Sequence, residues 1–286
     1  MTTRTTTTAL SHASDADFRT WVAEFIADVV AAGLVQTADT GQVNTATATR
    51  PATYTTPYYA VFYLNDSLHA TKPCYIRFEF GTASNVAIPL MAVTCGTGTN
   101  GAGTISGTMF TRTTITINAY IQAGTFPSFY CAKEGYFAHV WKRRASTASA
   151  GMQMFAVCRT TDSAGDPTNT GFYFYYTTGG SDLLRKTYLT TEVSDSRSYC
   201  LFPGGATSTL VSGDVQVVRH FGYQPIIRCV PYFVGYLSAE IGDESTFTAT
   251  PIGAASRTYL ALGGTGIPDT CSPVNVSTHR VAMQFD

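Results

Sequence analysis

Charged residues are scarce in this 286-residue sequence, and lysine and glutamate are the rarest of them. Four residues are lysine, six are glutamate, and all charged residues together make up 13% of the chain. That share is about half of what soluble domains usually carry. Because lysine and glutamate are the common solvated helix formers, their scarcity argues against a mostly helical protein. The formal net charge of −1 also predicts no basic surface for nucleic acid or an anionic membrane.

The sequence also lacks long apolar runs at either the N-terminus or within the chain. No stretch reaches the roughly 18 apolar residues of a membrane-spanning helix, so we expect no membrane partner. The first residues, MTTRTTTTALSHASD, lack the apolar centre of a secretory signal. We interpret residues 1–13 as a flexible, threonine-rich tail.

Paired cysteines are missing as well. The seven cysteines are scattered through the chain and none forms a CxxC pair. An odd, scattered set argues against a disulfide framework and against a zinc site. We therefore expect them to be small buried side chains of strands, with disulfides between subunits as the alternative. The five histidines are equally isolated, so no metal site and no cofactor is predicted.

Threonine, tyrosine and phenylalanine take the place of the missing charges. The chain has 46 threonines, 17 tyrosines and 17 phenylalanines, which favour the half-buried surface of a β-sheet. Short runs of such residues, separated by Gly, Pro, Asn and Asp, predict many strands from residue 58 onwards, among them single strands at 129–141, 183–190 and 199–202. The fold class is therefore mostly β, with an antiparallel sandwich or barrel-like body over residues 34–286. A composition shift near residues 195–213 suggests two lobes.

One amphipathic helix is predicted at residues 14–33. Ser14 with Asp17 resembles a capping box, and Gly33 is a typical helix stop. The spacing of the apolar residues places one wide face on the helix, consisting of Phe18, Trp21, Val22, Phe25, Ile26 and Val29. This face either packs onto the protein's own sheet or is an interface that docks onto a neighbouring subunit. In the second case, a chain without residues 1–33 would keep its β body folded.

Catalytic motifs are hard to find in the sequence. Gly96, Gly98 and Gly101 match G-x-G-x-x-G, but a β-branched run follows where a dinucleotide site needs a helix, so we expect a long, flexible connection. Asp162 and Asp166 are four residues apart and precede a proline, which excludes a standard calcium loop. The stretch TTDSAGDPTNTG instead predicts a hairpin between strands at 152–160 and 172–177.

Two glutamates and one long neutral segment also bear on the function. Glu79 and Glu134 are each expected to pair with an arginine, although two carboxylates that meet in space could also cleave a glycosidic bond. Residues 81–132 contain a single charge, Arg112. A segment so poor in charge is expected to be core or to be covered by a neighbour.

Four stretches carry a resemblance to a known class of proteins. They are DTGQVN (39–44), AVFYLNDSLHATKPCYIRFEFGTA (60–83), GTGTNGAGTISG (96–107) and FAVCRTTDSAGDPTNTG (155–171). In this order, after an amphipathic helix, they resemble virion structural proteins of tailed bacteriophages. The matching residues are Asp66, Ser67, Leu68, Thr71 and Pro73 in one motif, and Arg159, Thr160, Asp162, Gly165, Thr168 and Gly171 in another.

The resemblance implies a non-enzymatic component of the tail, neck or baseplate, located in the virion and assembled in the host cytoplasm. The implied partners are copies of the chain and other virion proteins. Two alternatives stay open: a receptor-binding adhesin of a tail or head fibre that binds a host surface glycan, and a polysaccharide depolymerase.

Overall fold

A computed structural model of the chain describes its first half almost completely and its second half in short segments. The described residues are 3–10, 12–83, 88–116, 124–142, 152–161, 167–178, 218–219, 233–237, 246–249, 257–261 and 279–284. Among these, strands predominate and one helix is present, so the predicted class, mostly β with an N-terminal helix, is confirmed.

The helix, α1, spans Asp15–Ala32 and both of its ends form as predicted. The Ser14 hydroxyl accepts a hydrogen bond from the Asp17 amide, and the Asp17 carboxylate accepts one from the Ser14 amide. At the other end Gly33 adopts a left-handed conformation, with φ of 114°, which glycine permits without steric cost.

The described ranges contain fifteen strands besides this helix. They are β1 (Thr3–Leu10), β2 (Leu34–Gln36), β3 (Thr55–Leu64), β4 (Tyr75–Thr82), β5 (Pro89–Thr99), β6 (Ile105–Thr116), β7 (Gly124–Lys133), β8 (Tyr136–Lys142), β9 (Met152–Thr161), β10 (Pro167–Thr178), β11 (Val218–Arg219), β12 (Phe233–Leu237), β13 (Thr246–Ala249), β14 (Arg257–Ala261) and β15 (His279–Gln284). Each strand ladder between them is antiparallel.

The strands form three five-stranded sheets. The first has the order β1-β7-β8-β9-β10, and the second follows the chain from β2 to β6. The third, β11-β12-β15-β14-β13, is made only of strands after residue 218. The lobe boundary expected near 195–213 lies outside the described residues, as do the strands predicted at 183–190 and 199–202.

One apolar core joins α1 to the first two sheets. Phe25 of α1 contacts Phe78 and Phe80 of the second sheet, with ring centroids 5.0 and 5.6 Å apart, and Tyr130 of the first sheet at 6.3 Å. Phe78 also contacts Phe137 of the first sheet directly. The helix is therefore an integral part of the hydrophobic core rather than an appendage.

Three expectations about the strands need correction. The flexible tail of residues 1–13 is wrong for residues 3–10, which form β1 and pair with β7 from Thr3 opposite Cys131 to Leu10 opposite Gly124. A run of threonines suits a strand, since its β-branched side chains favour extended backbone.

The single strand expected at 129–141 is instead a hairpin of β7 and β8, which turns at Gly135, whose φ is 70°. The connection after Gly98 is not long, because residues 100–104 suffice to join β5 to β6.

Candidate functional site

The helix face predicted as an interface lies inside the protein. Five of its six residues are at most 1% exposed: Phe18, Trp21, Val22, Phe25 and Val29. Ile26 is partly buried against the same core. Of the two alternatives, packing onto the protein's own sheets is the one that the structure bears out, and the docking alternative is corrected for these residues. The large exposed apolar residue of the helix is Val30, which is 45% exposed.

Two of the four stretches that carry the resemblance, residues 60–83 and 155–171, meet in one buried cluster. We call it the Asp66 cluster, and it consists of Asp66, Lys72, Gly135 and Arg159. The Arg159 guanidinium binds both oxygens of the Asp66 carboxylate, with Nη2–Oδ1 at 2.9 Å and Nη1 in contact with Oδ2. The two side chains are 2% and 0% exposed. Arg159 Nε also donates to the Lys72 carbonyl at 2.9 Å, and the Gly135 amide donates to Asp66 Oδ2 at 2.9 Å.

This cluster fastens the β3–β4 loop to the first sheet. The backbone amide of Arg159 donates to the Gly135 carbonyl at 2.7 Å, which closes the network through the β7–β8 turn. Next to it, the amide and hydroxyl of Ser67 both donate to the Glu134 carboxylate. Because a buried charge is stable only when it is paired and hydrogen-bonded, these contacts explain why an aspartate and an arginine occur here.

The other two stretches that carry the resemblance, residues 39–44 and 96–107, also meet. Their contacts form what we call the Asp39 cluster, which consists of Asp39, Tyr59, Thr99, Gly101 and Gly103. Asp39 Oδ2 accepts hydrogen bonds from the Thr99 hydroxyl and from the Gly103 amide, the latter at 2.7 Å. The Thr40 amide donates to the Gly101 carbonyl at 2.8 Å, and the Tyr59 hydroxyl donates to the carbonyls of Thr40 and Ala102. The loop before β3 is thereby fastened to the β5–β6 turn.

Gly103 is required in this cluster for a steric reason. Its φ is 82°, and a Cβ atom there would lie 2.2 Å from Cε2 of Tyr59. The ring of Tyr59 also carries the Arg77 guanidinium, 4.4 Å above its centroid, and Arg77 Nη1 donates to the Gly103 carbonyl at 2.9 Å. Gly101 shares the positive φ, at 77°, but a Cβ there would meet nothing within 4 Å.

Glu79 pairs with arginine, as the sequence predicts. Its Oε2 lies 2.7 Å from Arg112 Nε and its Oε1 lies 3.4 Å from Arg77 Nη2. Arg112, the single charged residue of the segment 81–132, therefore neutralises the nearly buried carboxylate of Glu79. Glu134 accepts the two hydrogen bonds from Ser67 described above.

A concavity opens beside the Asp39 cluster, on the outer face of the second sheet. It has a volume of about 440 Å³, and we call it the tyrosine concavity. Its lining consists of Val35, Gln36, Thr37, Ala38, Asp39, Tyr63, Tyr75, Thr99 and Gly101. Nothing in the local sequence marks it, because its residues come from four separate segments.

The surroundings of several titratable groups shift their pKa values. Burial, followed by the charge of Arg50, lowers the pKa of His12 to about 4, and its Nε2 lies 2.9 Å from the Thr82 hydroxyl. Burial lowers the pKa of His139 well below its ordinary value. Burial raises the pKa of the Cys95 thiol, whose Sγ lies 3.4 Å from Sγ of Cys74. Both histidines pack among aromatic rings, as expected of structural residues.

The pKa of Asp39 moves in the opposite direction to what burial alone would do. Burial raises it, but hydrogen bonds from Thr99, Thr37 and Gly103 together outweigh that effect, so the pKa lies below its ordinary value. Asp39 is therefore ionised at neutral pH and presents a fixed negative charge at the rim of the concavity.

Comparison with protein-family models, with curated proteins and with solved structures finds no match to this chain. Within the described ranges, no three His, Cys, Asp or Glu side chains are grouped so that they could hold a metal ion. The one described helix does not combine the length and the apolar character that crossing a membrane requires. The predicted hairpin is confirmed, with Phe172 opposite Cys158 and Tyr176 opposite Met154, while its tip at residues 162–166 lies outside the described part.

Proposed function

We propose that this protein is a non-enzymatic structural component of a tailed-bacteriophage particle, in the tail, neck or baseplate. The observation that carries the proposal is the pairing of the four resembling stretches. The motif at residues 66–73 is bound to the motif beginning at Arg159, and residues 39–44 are bound to residues 96–107. Residues that resemble one protein class in sequence also hold one another in space.

The chemistry of these contacts supports a structural role. Asp66 and Arg159 use their charged groups on each other and on backbone groups of the same chain. Asp39 and Glu79 likewise accept hydrogen bonds or ion pairs from their own chain. Carboxylates held in this way stabilise loops, whereas a catalytic acid or base must be free to exchange a proton with a substrate.

The composition supports assembly as the mechanism. A surface so poor in charge favours association, because net and distributed charge keep isolated proteins apart. Since the helix face is internal, we expect the contacts between subunits to use other surfaces, such as the outer faces of the sheets. Each specific contact is expected to bury upwards of about 1,200 Å² in total.

Sedimentation velocity of the purified full chain tests this mechanism. We expect a discrete oligomer whose proportion rises with protein concentration. A chain that stays monomeric up to about 100 µM, well above the Kd expected for a standard-size interface, would contradict self-assembly.

Receptor binding is the second candidate function, and the tyrosine concavity favours it. Partly exposed tyrosines beside polar side chains suit recognition at a surface. The concavity lies on the second sheet, in the first half of the chain. For the depolymerase alternative the described residues offer no comparable support, since the carboxylates of Asp39, Asp66 and Glu79 bind groups of their own chain.

A further inference from the structure

The tyrosine concavity has the dimensions of a small-molecule site. Its volume of about 440 Å³ falls within the range of roughly 300–1,000 Å³ that is typical of ligand pockets. Val35 pairs with Tyr63 across β2 and β3, and Tyr63 pairs with Tyr75 across β3 and β4. Side chains directly opposite each other in a sheet project from the same face, so these three form one continuous wall.

The aromatic part of this wall is held in place by its neighbours. The ring of Tyr63 stacks on the ring of His69, with centroids 4.2 Å apart and planes 24° apart. Tyr75 lies 5.8 Å from both rings. Both tyrosines remain partly exposed, so the concavity offers an aromatic surface whose orientation is fixed before any ligand binds.

The opposite part of the lining offers hydrogen-bond acceptors. Asp39 Oδ2 accepts hydrogen bonds from Thr99 and Gly103, and its carboxylate is part of the lining of the concavity. Gln36 uses its Nε2 as a donor to Gln42, which leaves its Oε1 as an acceptor at the rim. The other lining residues are neutral, so Asp39 is the single charged side chain of the lining.

We propose that the tyrosine concavity binds a neutral saccharide. One C–H face of a sugar ring would pack on Tyr63 and Tyr75, and its hydroxyls would donate to Asp39 and Gln36. A sugar ring offers both an apolar C–H face and several hydroxyl donors within one small volume. The lone carboxylate would repel phosphates, uronic acids and sialic acids, and it supplies too few oxygen ligands for a divalent cation.

The proposal is independent of the assembly role, because sugar binding by the purified chain and its presence in a particle are separate measurements. The test is saturation-transfer NMR on the full chain. The neutral probes are the methyl glycosides of glucose, galactose, mannose and N-acetylglucosamine, and the charged probes are glucuronic acid and N-acetylneuraminic acid.

We expect transfer to at least one neutral probe with millimolar affinity, and none to the charged probes. Tyr75→Ala and Gln36→Ala should each weaken that binding at least about tenfold, the amount expected when one well-placed contact is lost. The control is Tyr54→Ala, which removes a 75% exposed tyrosine outside the concavity and should leave binding unchanged.

If Tyr75→Ala fails to fold, judged by circular dichroism, Gln36→Ala decides alone, because Gln36 is an exposed rim residue. Absence of transfer to every neutral probe would overturn the proposal. Equal binding of charged and neutral probes would also overturn it, and so would a neutral sugar whose affinity is the same in the wild type and in Gln36→Ala.

Discussion

Asp66 and Arg159, 93 residues apart in the chain, form a two-point ion pair that is almost completely buried. Asp66 lies in the loop between β3 and β4, and Arg159 lies on β9 of the other sheet. Their contact, with the hydrogen bonds to Lys72 and Gly135, therefore connects the two sheets that share the core. A polar connection of this kind fixes the position of a loop that apolar packing alone would leave variable.

Arg159→Met should destabilise the protein by about 3–5 kcal/mol, because it leaves the Asp66 carboxylate buried without its partner. The matched control is Arg112→Met, which removes the same side chain from a site that is 48% exposed. There we expect a loss of no more than about 1 kcal/mol, because Arg112 is half exposed and Glu79 keeps its contacts with Arg77 and with the Thr56 hydroxyl. Urea unfolding followed by circular dichroism measures both.

The double variant Asp66→Asn, Arg159→Met should be more stable than Arg159→Met alone, because it no longer buries an unpaired charge. Equal losses of stability in Arg159→Met and Arg112→Met would contradict this account, and so would a double variant that is no more stable than Arg159→Met. Either result would show that the buried pair contributes no more to stability than the exposed arginine does.

Gly103→Ala should destabilise the protein more than Gly101→Ala. Both positions have a positive φ, which costs a non-glycine residue about 1 kcal/mol. At Gly103 the new Cβ would also collide with the Tyr59 ring, whereas at Gly101 it would meet open space. Thermal unfolding of the two variants makes the comparison, and equal Tm values would contradict the packing of Tyr59 on Gly103.

Phe25→Ala should cost about 3–5 kcal/mol, since it leaves a cavity where the helix meets both sheets. Val30→Ala, on the exposed side of the same helix, should change stability by no more than about 0.5 kcal/mol. For the same reason we now expect that a chain without residues 1–33 does not fold. An unchanged unfolding midpoint in Phe25→Ala, together with a lost oligomer, would restore the docking alternative for this helix face.

Acidification should destabilise the protein partly through His12. Its folded pKa of about 4 lies below the ordinary value of 6.5, so the unfolded chain binds the proton more readily in this interval. The stability contributed by neutral His12 is therefore complete above about pH 6.5 and is lost as the pH falls towards 4. His12→Gln, whose amide cannot titrate, should show a smaller loss of stability between pH 6.5 and 4 than the wild type. An identical pH dependence in the two proteins would argue against this assignment.

Local features of the fold were predictable from the sequence because they depend on neighbouring residues. The capping pair Ser14 and Asp17 with Gly33 predicted the helix ends to within a residue. The turn residues between positions 160 and 172 predicted the β9–β10 hairpin. The turn at Gly135 was missed because a tight turn needs few residues and here lies inside an aromatic run, and β1 was missed because its partner β7 is more than a hundred residues away.

The clusters could not be predicted, because their members are far apart in the chain. The sequence predicted that Glu79 pairs with an arginine, but not that Arg112 would be one of two partners. Asp39 and Gly103 are separated in the chain by stretches whose folding no local sequence pattern predicts, and the same holds for Asp66 and Arg159. The tyrosine concavity depends on the register of β2, β3 and β4, in which a shift of one residue would turn Tyr63 and Tyr75 to the other face.

The proposed assembly role is tested most directly by electron microscopy of phage particles purified from infected cells that produce this chain, with mass spectrometry to identify the chain. We expect the chain to be present in several copies related by the symmetry of the tail, neck or baseplate, with the Asp66 cluster intact in each copy. Purified, infectious particles that lack the chain, although the infected cell produces it, would contradict the proposed function.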